Sequence, residues 1–269
     1  MAAKLIRTAV VALGLAAALG PAATALAQTP KWEEDPARFQ IELRGWFPDG
    51  FEATTLATGS VSGNALDLVN TVGIEDEAMP EVRFTLISSS AARLRFGYTR
   101  VRFDGGNTVD ETFHFDGTQF GGGAVVTGEL DQDYFYLDWI FQPFEVGEDT
   151  VRFGFILGIH GWKSQIKLSN DAPAVHAARE FNNVFPAIGL ALDWNPSRYF
   201  TLFVQGSGAH QGADGWHFDA EGGVKISPIQ ALAIVLAYRE LDISYEENDS
   251  DSFGRWTIRG PFAGIDIRF

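Results

Sequence analysis

A few side-chain combinations in this chain could do chemistry. Asp214, His217 and Asp219 fall within six positions, and an imidazole beside carboxylates can activate water as a general base. Asp110 or Asp116, upstream, would supply a further acid. His160 with Ser164, and His210 with Ser207, set an imidazole near a hydroxyl, the pairing that a nucleophilic serine needs. Five His in 269 residues produce such neighbours by chance, and a His on a strand bounded by Trp is more often a hydrogen-bonded wall residue. No catalytic residue is assigned, and the chain is not expected to be an enzyme. The acidic runs Glu75-Asp76-Glu77 and Glu246, Glu247, Asp249 and Asp251 offer oxygens for Ca²⁺. They lack the alternating ligands and central Gly of an EF-hand, so they read as solvated loops. There is no Cys, hence no disulfide and no thiolate site. Neither a metal nor a cofactor is expected.

A second set of charges is more regular. Glu42, Arg44, Arg83, Arg93, Arg95, Asp138, Arg152, Asp193, His217, Asp219, Glu221, Lys225, Arg239, Asp266 and Arg268 alternate with apolar residues at a period of two. Leu94, Phe96 and Tyr98 interleave with Arg93, Arg95 and Gly97, and Phe135, Leu137, Trp139 and Phe141 with Tyr136 and Asp138. Such alternation is the mark of strands with one apolar face. About ten of these stretches run from Phe39 to the end, separated by connections of alternating length. Short ones fall at 88–90, 145–149, 195–198 and 227–230, and longer ones at 49–78, 104–123, 170–178, 211–215 and 246–252. Pro186 and Pro261 interrupt two strands, where a closed sheet tolerates Pro only at bulges. Face parity slips near Arg100, Arg239 and Gly260, where strands of a membrane barrel would leave the lipid band.

The N-terminus has basic Lys4 and Arg7, an apolar run from Thr8 to Gly20, and Ala25-Leu26-Ala27. That is the pattern of a secretory signal peptide over 1–27, cut before Gln28. A short segment, 28–37, is expected to lie in the periplasm before a barrel over 38–269. The net charge of −15 becomes −17 once Lys4 and Arg7 are gone (−15 − 2). So acidic a chain argues against a nucleic-acid partner. Nothing after residue 27 is long and apolar enough for a membrane helix, so a membrane-spanning form must be a closed sheet.

The ending bears on which solvent that sheet meets. Ala263, Ile265 and Ile267 alternate up to a terminal Phe269, which resembles the C-terminal strand of Gram-negative outer-membrane β-barrels. The segment Asp67-Leu68, Gly73–Glu77, Pro80–Phe84 and Arg93–Tyr98 is also similar to uncharacterised proteobacterial barrels of porin-like or OmpA-like size. The resemblance implies an all-β fold: a single transmembrane antiparallel up-and-down barrel of about ten strands, eight or twelve being alternatives. It implies the outer membrane as location, lipid and lipopolysaccharide as surroundings, and the barrel-assembly machinery as a partner reading the strand that ends in Phe269. It also implies that the first external loop folds back over the barrel mouth. Oligomeric state is left open.

In a barrel the alternating charges line the lumen, and Gly154, Gly158, Gly189 and Ala191 leave room for long side chains. Trp46, Trp194, Tyr199, Phe200, Trp216 and Phe269 lie at the ends of apolar stretches, which suits aromatic girdles at headgroup depth. Two functions fit: a narrow pore or structural barrel with a partly salt-bridged lumen, and a surface-recognition barrel acting through long external loops. A hydrolase ranks third. The Asp214–His217–Asp219 group does not reproduce the spacing of omptin-type proteases, nor do the His–Ser pairs have the context of lipid A deacylases.

Overall fold

The computed structural model describes residues 38–57, 63–147, 150–171, 174–210, 215–246 and 252–269. The signal peptide and the periplasmic segment expected over 1–37 lie outside these residues. In chain order the strands are β1 (Phe39–Trp46), β2 (Gly50–Leu56), β3 (Leu66–Asp67), β4 (Met79–Ser89), β5 (Ala92–Thr108), β6 (Phe113–Phe115), β7 (Thr118–Phe120), β8 (Val125–Val146), β9 (Val151–Asp171), β10 (Ala174–Ser197), β11 (Phe200–His210), β12 (Gly215–Ile229), β13 (Leu232–Glu246) and β14 (Phe253–Arg268). Strands β1, β4, β5 and β8 to β14 pair antiparallel in sequence order, and β1 pairs β14 from Gln40↔Arg268 to Trp46↔Phe262. The sheet is a closed barrel of ten strands. Its seam is tied at the terminus, where the Phe269 carbonyl accepts from Arg38 N at 2.7 Å.

Inward and outward parity holds along each strand, but the chemistry of the two faces exchanges part-way up. On β5, Leu94 and Phe96 point outward with 42 % and 45 % exposure, and Arg100, Arg102 and Asp104 continue that same face. The inward face carries buried Arg95 and then buried Val101 and Phe103. The apparent slips near Arg100, Arg239 and Gly260 are therefore not slips: pairing of β5 with β8 and of β13 with β14 runs through all three without a shift. Register shifts occur instead beside the short turns, between Ile87/Ser89, Phe141/Phe144, Trp194/Ser197 and Ile226/Ile229. The physical reason is a change of solvent. Where lipid surrounds the wall, apolar residues face out and charges face in; where water does, the order reverses.

The main hydrophobic cluster consequently sits above the lipid band, inside a collar. Strands β8, β9 and β10 have 22, 21 and 24 residues, against the ~9–11 that a bilayer crossing needs. The connection expected over 170–178 is thus mostly strand, with β9 ending at Asp171 and β10 starting at Ala174. Likewise the connection at 104–123 continues β5 and then forms the β6–β7 hairpin, whose Phe113 and Phe120 stack at 5.2 Å. Asp116 of that hairpin accepts from Arg179 of β10 at 3.1 Å. The first external segment is ordered too. Asp67 caps a π-helical turn over Leu68–Val72, Gly73 ends it with φ 79°, and Leu68, Val72 and Ile74 are buried in the mouth.

Pro186 and Pro261 sit at no bulge, since the β9–β10 and β13–β14 ladders run through them without a shift; each lies where its strand loses or changes its other partner. Beside Pro261, β14 passes from β1 to β2 around the Phe47-Pro48-Asp49 corner, with Phe47 N donating to Pro261 O at 2.9 Å. Beside Pro186, β11 has stopped pairing with β10, since that ladder begins at Ile188.

Candidate functional site: an ion-paired lumen and a buried histidine pair

The lumen holds three layers. Nearest the short turns is a vestibule of about 270 Å³ lined by Arg93, Arg95, Arg152, Arg268, Lys225 and Asp193 among others. Arg93 donates both terminal nitrogens to Asp193 Oδ2 at 3.1 Å. Arg95 is 8 % exposed, and its Nη1 has no hydrogen-bond partner.

Above the vestibule, ion pairs reach across the lumen from β12 to β1 and β4. Glu221 on β12 receives Arg83 of β4 at 2.6 and 2.7 Å, Arg44 of β1 at 2.8 and 3.3 Å, and Gln205 of β11 at 2.7 Å. Arg83 Nε also donates to Glu81 at 2.5 Å, and Glu81 accepts from Tyr136, Thr99 and Arg239 as well. Arg239 of β13 reaches Asp219 through Nε and Nη2 at 2.8 and 2.7 Å. Lys225 bonds Glu42 and Asp266 at 3.0 and 3.3 Å, Arg44 bonds Glu42, and Arg268 bonds Asp266. Five cations (Arg44, Arg83, Lys225, Arg239, Arg268) thus meet five carboxylates (Glu42, Glu81, Asp219, Glu221, Asp266). Bidentate guanidinium–carboxylate geometry is the strong form of such pairs. Burial of this many charges is tolerable only because each has a partner.

The third layer is a cluster of Tyr134, His160, His217, Asp219 and Asp138. The Tyr134 hydroxyl lies 2.9 Å from His160 Nδ1, 3.0 Å from His217 Nε2 and 2.9 Å from Asp219 Oδ2. The two imidazoles approach at 3.3 Å, and His160 Nε2 faces Asp138 Oδ1 at 2.8 Å. Both His residues are 1 % exposed. Trp162 and Phe185, stacked at 4.8 Å, cover them from the collar side. Small residues make the space: a Cβ on Gly158 would strike Asp138 Oδ1, and one on Gly97 would strike the Tyr136 ring lying across it.

The sequence-assigned lumen residues distribute over these layers. Glu42, Arg44, Arg83, Asp219, Glu221, Lys225, Arg239, Asp266 and Arg268 form the ion-paired layer. Arg93, Arg95, Arg152 and Asp193 line the vestibule, and Asp138 and His217 belong to the cluster. Glu81, Tyr134, Tyr136 and His160 join them unassigned, although each has the inward parity of Arg83, Asp138 or Arg152 on its own strand. Among the aromatics, Trp194, Phe200 and Trp216 lie on the outward-facing parity, Phe269 is 65 % exposed, and Tyr199 takes Arg198 over its ring at 4.7 Å. Trp46 is a correction to the girdle. It shares the parity of Glu42 and Arg44, is 1 % exposed, and receives the Arg239 guanidinium at 4.9 Å from its ring.

The other candidate pairs come apart. Ser207 points inward while His210 is exposed. His160 and Ser164 share a face but are four residues apart, roughly 13 Å along a strand. Asp110 is exposed, Asp116 is paired with Arg179, and Asp214 lies outside the described residues. Glu75, Asp76 and Glu77 are exposed, while Glu247, Asp249 and Asp251 lie outside the described residues.

No protein-family model matches the chain, and no curated protein matches its sequence. Solved structures do match. The outer membrane protease OmpT from Escherichia coli aligns with a TM-score of 0.57 at 9 % identity, over 90 % of this chain and 100 % of that one. The fold is that of a Gram-negative outer-membrane β-barrel. Lower-scoring matches include the attachment invasion locus protein Ail of Yersinia pestis (TM-score 0.37, 10 % identity, 86 % and 99 % covered). The translocator domain of autotransporter NalP from Neisseria meningitidis gives 0.38 at 9 % identity, with 98 % of both chains covered.

Proposed function

We propose that this protein is an integral outer-membrane barrel whose lumen is sealed, so that it anchors a protruding collar instead of conducting solutes. Export through a cleaved signal peptide is part of the same reading. The observation that carries it is Glu221, clamped from β12 by Arg44 of β1 and Arg83 of β4 across the lumen. Aromatic and aliphatic packing closes the collar above, with Trp162, Phe181 and Phe185 all buried. Passage of an ion would require these pairs to separate in a low-dielectric channel, and removal of one partner from such a pair costs ~3–5 kcal/mol. Burial also argues against hydrolysis: the His217–Asp219 couple faces inward beneath the collar, out of reach of a polymer or lipid substrate. The test is current across a planar bilayer. The folded protein is expected to give no discrete steps, and the Arg83→Ala/Glu221→Ala pair to give them. Salt-dependent steps from the unaltered protein would restore the pore.

A second reading, surface recognition, rests on the tip of β10. From Ala174 to Ala178 this strand pairs β9 on one side and has no ladder partner on the other among the described residues. An exposed edge above the membrane suits an extended peptide that adds a strand. Ala178→Pro, which cannot accept a new strand on its N–H side, is expected to abolish such binding; unchanged capture would remove the reading.

A further inference from the structure

We infer that Tyr134, His160, His217 and Asp219 form a four-coordinate site for a divalent transition metal, Zn²⁺ by preference, that latches the tall wall of the barrel to its short strands. Four donor atoms converge there from three strands: Tyr134 Oη on β8, His160 Nδ1 on β9, and His217 Nε2 and Asp219 Oδ2 on β12. The hydroxyl lies 2.9–3.0 Å from the other three, and the imidazole nitrogens lie 3.3 Å apart. All three His and Asp ligand atoms lie within 4.8 Å of one another. A tetrahedron with arms of ~2.0 Å has edges of ~3.3 Å, so four of the six edges are already that short, and the Asp219 oxygen would close in on the two imidazoles from within 4.8 Å.

Proton bookkeeping points the same way. His160 Nε2 faces Asp138, which fixes the proton on that nitrogen and turns the Nδ1 lone pair toward the cluster. The Tyr134 hydroxyl then has one proton for three surrounding acceptors. His217 makes the deficit worse: its Nδ1 has no partner, so a proton there leaves two imidazole lone pairs facing each other. A proton on Nε2 instead leaves Nδ1 a bare buried acceptor. One more positive centre among the four atoms relieves the conflict, and it is either an extra proton or a metal ion.

The surroundings favour the metal. The Asp138–His160 pair is the carboxylate–histidine arrangement that orients a ligating imidazole. Two imidazoles, a carboxylate and a phenol oxygen form a borderline donor set suited to Zn²⁺. Arg239 holds both Asp219 oxygens, Nε on Oδ1 and Nη2 on Oδ2, and Trp162 and Phe185 stack on His217. No position is left open to water, so the site is structural. It joins β8 and β9, which carry the collar, to β12 across the barrel.

The test uses the protein extracted from membranes in detergent. Elemental analysis is expected to find about one Zn per chain. Refolding in metal-stripped buffer with Co²⁺ is expected to give the visible absorption of a tetrahedral site. His217→Gln and Asp219→Asn should lose both signals, and His210→Ala should keep both. Asp138→Asn, which leaves every ligand in place, should keep the stoichiometry and weaken binding roughly 10–100-fold; it carries the test if the ligand variants do not fold. Heat-modifiable protein without metal and without tetrahedral Co²⁺ absorption would overturn the site and leave an extra proton as the cluster's charge. Stoichiometry unchanged in folded His217→Gln would overturn it as well.

Discussion

Arg83 and Arg95 face the same lumen from neighbouring strands, yet one is fully neutralised and the other is not. Arg83 is bound by Glu81 and Glu221, whereas Arg95 is also buried but has its Nη1 unpartnered. Their removal should therefore have opposite consequences. Arg83→Met leaves Glu221 short of a cation in a buried setting and is expected to cost ~3–5 kcal/mol. Arg95→Met removes an uncompensated charge and is expected to be neutral or stabilising within about 1 kcal/mol, because an apolar isostere can replace a buried ion. Urea midpoints of the folded, heat-modifiable band measure both. Equal losses would show that Arg95 has a partner, such as a small anion held in the vestibule.

The exchange of polarity along each wall makes a second prediction. Leu190 is 65 % exposed on the outward face at lipid level, and Lys167 lies on the outward face of the collar. Leu190→Arg is expected to cost ~2–4 kcal/mol, the price of a guanidinium near the bilayer midplane. Lys167→Leu, the reverse change on the same outer surface, should stay within about 0.5 kcal/mol. Unfolding titrations in lipid vesicles check the pair. A small loss for Leu190→Arg would mean that the lipid band lies elsewhere on β10.

How far the sequence disclosed this architecture depends on the kind of information needed. Parity is local, so alternation sets Arg83, Asp138 and Glu221 on the face opposite the apolar residues, and the resemblance to a barrel turns that face inward. Trp46, two residues beyond Arg44, was legible in the same way, had parity been trusted over the tendency of aromatics to collect at interfaces. The long hairpins were harder. Once the wall leaves lipid, Arg100 and Arg102 replace Leu94 and Phe96 on the outer face, and a strand in a new solvent imitates a loop or a slip. The pairing of partners was not legible at all. Glu221 and Arg83 are 138 residues apart, and alternation fixes a face but neither the height nor the position around the barrel. Tyr134, His160 and His217 meet for that reason without any motif in the chain.

Gly158 tests whether the small residues of the inner face are required by their long neighbours. A Cβ there would strike Asp138 Oδ1 and approach Leu137 O. Gly158→Ala is expected to cost ~1–3 kcal/mol by overpacking and to push Asp138 away from His160. Gly121, where an added Cβ meets nothing within 4 Å, provides the control: Gly121→Ala should be neutral within about 0.5 kcal/mol. The readout is again the urea midpoint, and equal behaviour of the two variants would contradict the packed inner face.

Tryptophan depth offers a test of orientation that needs no change in stability. Trp139 is 45 % exposed on the outward face at lipid level, while Trp46, Trp162 and Trp256 are each 1 % exposed inside the barrel or collar. In vesicles of brominated lipid, bromine quenches only an indole it can approach. A variant keeping Trp139 as its single Trp is therefore expected to lose most of its fluorescence, and variants keeping only Trp46 or Trp162 to lose little. Trp46 is the informative case, because girdle placement and stacking beneath Arg239 give opposite signals for the same residue. Strong quenching at Trp46 would turn the ring out into the headgroups, and with it the parity of Glu42 and Arg44 that positions the whole ion-paired layer.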